Sequence, residues 1–209
     1  MNQTSRPLTR AEAKLLTRHR LMQAALNLLA QEGRVALTTS SVTRAAGVAQ
    51  PTFYVHFDGM ESLLSSLATE ALNEVRTALH AARAPLFEGG DLMEASRGAY
   101  RLSLRAIRQH AALLTVFLAE RYKPASELGR QARDLLDTLQ ADLVTAANVI
   151  PAARAIPLAR RQLVARGLVA LTIEFGLAQR ESKAFQEDEA VSLLCSVTQS
   201  LILAAATGS

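Results

Sequence analysis

The sequence predicts an all-α protein of nine helices, and three observations carry that prediction. The helix formers Ala, Leu, Arg and Gln dominate the 209 residues, Trp is absent, and the 10 glycines and 6 prolines are few. Apolar residues recur at helical spacing in long segments bounded by Gly and Pro. The stretch "TTSSVTRAAGVAQPTFYVHF", residues 38–57, then sets Gly47 and Pro51 close together. Inside one helix they would cost roughly 1 and 3 kcal/mol. Two short helices joined by a turn accommodate both.

Each element follows in order. Leu21, Ala25, Leu28 and Leu29 lie at i, i+4, i+7 and i+8, giving a first helix over 10–32 with one apolar face, which Gly33 stops. Thr38 offers an N-cap hydroxyl to a short helix over 39–46, and Gly47 supplies the positive φ of a sharp turn. Pro51 falls in the first turn of the next helix, 50–57, where no intrahelical N–H is lost. Asp58 and Gly59 end that helix. Further helices are expected over 60–83, 91–109, 111–122, 125–149, 158–181 and 187–206, separated by Pro85, Gly89 and Gly90, His110, Pro124, Pro151 and Pro157. The expected division is 1–59 and 60–209.

The spacing over 39–57 is that of a helix-turn-helix, whose second helix enters the major groove of double-stranded DNA while the first crosses the backbone. Val42, Ala46, Val48 and Phe53 would hold the two helices together, and Phe57 would join the core. Gln50, Pro51, Thr52, Tyr54 and Val55 would face the duplex. Gln reads adenine bidentately, Thr or Pro touches a thymine methyl, and Tyr54 and His56 can donate to phosphates. Arg18, Arg20, Thr38, Thr39 and Arg44 complete the candidate DNA-binding set.

Charge supports the same reading. Residues 1–60 hold seven basic side chains against three acidic ones, whereas residues 61–209 balance at 16 each, so the whole net charge of +4 comes from the N-terminal part. A nucleic-acid-facing module on a neutral body has that asymmetry, as does a plain solvated basic face.

Other classes find little support. His19, His56, His80 and His110 lie in separate segments without metal-ligand spacing, and no phosphate- or dinucleotide-binding glycine loop occurs, so neither a catalytic nor a metal site is expected. Arg166 and Glu174 lie two turns apart in an apolar helix, and pairing across an interface or with ligand suits them better than acid–base work. The lone Cys195 sits in the apolar run "VSLLCSVTQSLILAAA" and reads as a small buried hydrophobe. With neither a signal segment nor a membrane-length apolar run, the expected location is the cytoplasm. That run and "LVARGLVALTIEFGLA" are apolar on nearly every face, so residues 158–206 are expected to pair with a second copy as a two-fold four-helix interface, which suits a palindromic DNA site.

"LTTSSVTRAAGVAQPTFYVHFDGMESLL", preceded by "LMQAALNLLAQEG", resembles the N-terminal domain of TetR-family transcriptional repressors, in which the G-V turn, F-Y-x-H-F and a following acidic helix start recur. Two positions depart: Met60 stands where the family usually has a phosphate-facing Lys, and Ala49 replaces the usual hydroxyl N-cap. Residues 110–132, "HAALLTVFLAERYKPASELGRQA", are similar to a segment of the FabR/DesT subgroup of desaturation regulators. That resemblance implies a homodimer on a palindromic operator ahead of desaturase genes, sensing long-chain acyl-CoA through a C-terminal ligand-binding and dimerisation domain. A regulator of another hydrophobic ligand such as a drug, or a helical small-molecule carrier that does not bind DNA, are the alternatives. For a sensing tunnel the large apolar residues of the middle helices are candidates: Phe87, Leu104, Leu113, Leu114, Phe117 and Leu118, then Leu171, Phe175 and Phe185. Each buried acyl CH₂ contributes about 0.8 kcal/mol, so a chain needs few polar contacts. Arg97, Arg101, Arg105, Arg108 and Arg121 are spaced to meet coenzyme A phosphates, or are ordinary solvated arginines.

Overall fold

The computed structural model describes residues 9–87, 91–181 and 186–207. They form ten α-helices: α1 Arg10–Glu32, α2 Thr39–Ala46, α3 Gln50–Tyr54, α4 Met60–Phe87, α5 Leu92–Gln109, α6 Ala111–Glu120, α7 Glu127–Ala147, α8 Pro151–Arg154, α9 Leu158–Glu181 and α10 Glu187–Thr207, with a 3-10 turn at Arg34–Ala36. The all-helical expectation holds; beyond shifts of one or two residues at other helix ends, three differences matter. α3 ends at Tyr54 and not at Phe57, although the Phe57 N–H still reaches the Phe53 carbonyl at 3.0 Å. α4 runs through Pro85, which forfeits the N–H for one carbonyl four residues back without stopping the helix. The tenth helix is short: Pro151, expected only to break the chain, sits at the start of α8, where its fixed φ suits a first turn.

The chain forms two compact units, Met1–Ala68 and Thr69–Ser209, which divide inside α4. In the first, α1 packs on α2 and α2 on α3. Leu21, Ala25 and Leu29 of α1, Val42 and Ala46 of α2, and Phe53 and Phe57 are buried together with Leu63, Leu64 and Leu67. Thr9 caps α1 and Thr38 caps α2, each in a reciprocal capping box, with Glu12 and Ser41 as the third residues. Gly47, in left-handed conformation at φ 64°, ends α2 and turns the chain into α3.

In the second unit α9 is the central helix, packed against α5, α6, α7 and α10. A Cβ at Gly176 would lie 2.5 Å from the Ile107 side chain, so only glycine admits the α5–α9 approach. Leu104, Val191, Leu194 and Cys195 form a buried cluster between α5 and α10, with Tyr100, Leu171 and Phe175 packed against it. No helix among the described residues is long and apolar enough to cross a membrane.

Candidate functional site

The first unit presents a helix-turn-helix built on one buried ring. Phe53, fully buried, meets Phe57 at 5.6 Å and the edge of Tyr54 at 5.5 Å, which turns the other face of α3 outward. Gln50, Pro51, Tyr54 and Val55 are exposed, with Thr52 half-buried beside them. Ala49 caps α3 without a side-chain bond, so packing and the turn hold this five-residue helix in place. Arg44 is exposed on α2, while Thr39 is half-buried.

Three of the expected DNA contacts have other partners. Arg18 donates to the His56 carbonyl at 2.8 Å and to Ser66 Oγ at 2.7 Å, and its guanidinium lies 4.3 Å over the Phe57 ring. It clamps the end of the helix-turn-helix rather than reaching outward. Arg20 donates to the Ala46 carbonyl at 2.6 Å, which satisfies the last turn of α2. The Thr38 hydroxyl is engaged with Ser41 in the capping box. His56 is half-buried, and desolvation, followed by the charges of Lys14 and Arg18, lowers its pKa from the ordinary 6.5. It is therefore neutral at pH 7 and can offer a phosphate one N–H but no charge.

The second unit encloses an apolar cavity of about 160 Å³ walled by α4, α5, α6, α7, α8, α9 and α10. Of the tunnel candidates, Leu114 and Leu118 line it. Leu104, Leu113 and Phe117 are buried, and Leu171 and Phe175 pack on the α5–α10 cluster; none of the five is in the wall. The side chain of Phe87 and all of Phe185 lie outside the described residues. Residues that sequence reasoning missed make most of the wall: Leu72 and Val75 of α4, Leu135, Leu139 and Leu143 of α7, and Val164 and Leu168 of α9. They are ordinary aliphatics at core spacing, so nothing local marks them as wall. Arg161 was missed too, although an arginine just inside an apolar helix is a signal that could have found it.

The arginine row is not an open phosphate site. Arg101 pairs with Asp188 at 3.0 Å, Arg105 and Arg108 share Glu187 at 3.0 and 3.1 Å, and Arg97 approaches Glu94 at 4.0 Å. Arg121 stacks on Tyr122 at 4.4 Å. Arg166 and Glu174 are both exposed on α9 in the single chain, and no three His, Cys, Asp or Glu come together among the described residues.

Residues 21–67 match the family model of bacterial regulatory proteins, tetR family. No curated protein matches the chain in sequence. Among solved structures, a putative transcriptional regulator from Pseudomonas aeruginosa PAO1 aligns over 99% of both chains with TM-score 0.76 and 18% identity. A TetR-like transcriptional regulator from Rhodococcus sp. RHA1 aligns over 92% of this chain and 97% of its own, with TM-score 0.72 and 17% identity. The fatty acid degradation regulator FadR from Bacillus halodurans aligns over 89% and 94%, with TM-score 0.62 and 17% identity. TetR-family regulators are DNA-binding transcription factors and not enzymes. The exposed α3 face and the family match fall on the same residues: the chain has the TetR-like fold, and its residues 21–67 match the tetR-family model.

Proposed function

We propose that the protein is a homodimeric repressor acting in the cytoplasm, which binds a palindromic operator through α3 and answers to long-chain acyl-CoA, so controlling desaturase genes for unsaturated fatty acid synthesis. The observation that carries the DNA half is the outward face of Gln50, Pro51, Thr52 and Tyr54 on a helix fixed by the buried Phe53. Support for a dimer comes from α9 and α10, which present exposed stripes: Leu163, Gly167 and Ala170 on one, Leu193, Ser196, Ser200 and Leu203 on the other. Small residues flanked by leucines let two helix pairs approach closely.

The acyl reading is supported by the apolar cavity and by the likeness in fold to FadR of Bacillus halodurans. Its volume sets a condition. About 160 Å³ is near the size of an apolar void that takes one benzene, so a long chain must part the helices to enter. That requirement supplies the coupling, since a ligand shifts an equilibrium only by its differential affinity for two states. Leu72 and Val75 of the wall belong to α4, the helix whose first turns lie in the DNA-binding unit. The cavity size also favours a second reading, in which a smaller hydrophobic compound such as a drug is the effector.

Fluorescence anisotropy on an operator selected from random duplex DNA, titrated with oleoyl-CoA and palmitoyl-CoA, tests the proposal. A bent and a straight chain cannot share one set of wall positions, so the two should shift operator affinity in opposite directions, each by roughly 1–3 kcal/mol. Unsaturated chains should favour the DNA-bound form, as end-product repression of a desaturase requires. Equal effects, or none, would rule out shape sensing; no operator selected would rule out the repressor.

A further inference from the structure

The cavity wall carries one charged residue among those described, Arg161 in the first turns of α9. Its Nη1 donates to the Asn148 side-chain oxygen at the end of α7, a neutral acceptor. Its Nε is buried and unpartnered, and no carboxylate pairs with it among the described residues. A guanidinium stays protonated in proteins, so a positive charge borders an apolar space while one of its N–H groups is buried and unused. Leaving a buried donor unmet is costly, and natural structures meet such groups with a partner.

Four hydroxyls of the wall, those of Ser103, Thr172, Thr198 and Tyr100, have the opposite character. Ser103, Thr172 and Thr198 each donate to the carbonyl four residues back, at 2.7 Å in every case. With the Thr198 hydrogen committed to Leu194, the 2.5 Å contact between Tyr100 and Thr198 requires the phenol to be the donor. These four side chains thus turn their hydrogens away, whereas Arg161 keeps one.

We propose that Arg161 anchors the oxygen-bearing head of the cavity's ligand. The wall takes an acyl group whose terminal acceptor, a free carboxylate or a thioester carbonyl, sits on the Arg161 Nε–H beside Asn148, with the chain along the aliphatic wall. This rests on the reading of the cavity as the effector site and deepens it by naming the residue that orients the chain.

The test measures dissociation constants of decanoate, decanoyl-CoA and 1-decanol by calorimetry on the full chain, R161Q and R161K, with thermal unfolding of each unliganded variant as the check on folding. R161Q should weaken decanoate at least tenfold and leave 1-decanol within twofold. R161K, which keeps the charge without the planar fork, should recover part of the decanoate loss and carries the test if R161Q does not fold. In the unaltered protein, tighter binding of decanoate than of decanoyl-CoA identifies the free acid as the source of the head group, and the reverse identifies the thioester. Equal weakening of all three probes would reduce Arg161 to a structural residue and overturn the anchor, as would unchanged binding of both acyl probes. Failure of every probe to bind the unaltered protein would overturn the cavity reading itself, a result separable from the loss of the anchor alone.

Discussion

Arg18 joins three features of the helix-turn-helix unit with a single guanidinium: the His56 carbonyl, the Ser66 hydroxyl and the Phe57 ring. Arg18→Met keeps the length and removes the donors, so it should lower the unfolding free energy by about 2 kcal/mol in urea titrations. A pure phosphate contact would leave stability unchanged and weaken only DNA binding. His56 gives a second readout. The unfolded chain takes its proton near pH 6.5, and the folded chain, where burial and then Lys14 and Arg18 oppose the charge, takes it only at lower pH. Stability should therefore be complete above pH 6.5, fall as the pH drops below that value, and level off beneath the lowered folded pKa. His56→Gln should remove that segment of the stability–pH curve, measured by thermal unfolding across the range.

Among the elements, α9 shows how one residue type serves two ends. Gly176 faces Ile107 with no room for a Cβ, whereas a Cβ at Gly167 meets nothing within 4 Å. Gly176→Ala should destabilise by about 1–3 kcal/mol through overpacking, while Gly167→Ala should add up to about 1 kcal/mol of helix propensity to the monomer; chemical denaturation of both variants checks the contrast. Helix positions were largely legible because capping and periodicity are local: Thr38, Gly47 and the 10–32 segment read directly. The exceptions are the prolines at 85 and 151, where propensity gives a cost or a start but not its outcome in context. The arginine spacing over 97–108 was equally legible, yet its purpose was not, because Glu187 and Asp188 stand some eighty positions away and only the α5–α10 packing brings them near. The outward face of α3 follows from one ring, Phe53, whereas the cavity wall collects residues from seven helices, and no local pattern encodes that assembly.

For the whole molecule, the proposed dimer determines which substitutions are informative. Leu201 and Ile202 lie on the helix expected to pair, but Leu201 is half-buried and Ile202 lines the cavity, so changing either would disturb the protomer. Leu193 is 51% exposed on α10 in the single chain. Leu193→Arg should therefore leave the protomer folded, shift sedimentation from dimer to monomer, and lower operator affinity in parallel, because one rigid dimer reads both half-sites. An unchanged dimer would move the interface to another face.

The hydroxyls that turn back on their own helices have a calorimetric consequence. With Ser103, Thr172 and Thr198 donating to backbone carbonyls, those parts of the wall have no hydrogen to give to solvent, so they hold water weakly. A chain entering the cavity releases little ordered water from the protein side, so its binding at 25 °C should be driven by enthalpy, with a negative heat-capacity change from the apolar surface of the ligand alone. Titration calorimetry at several temperatures would measure both signs.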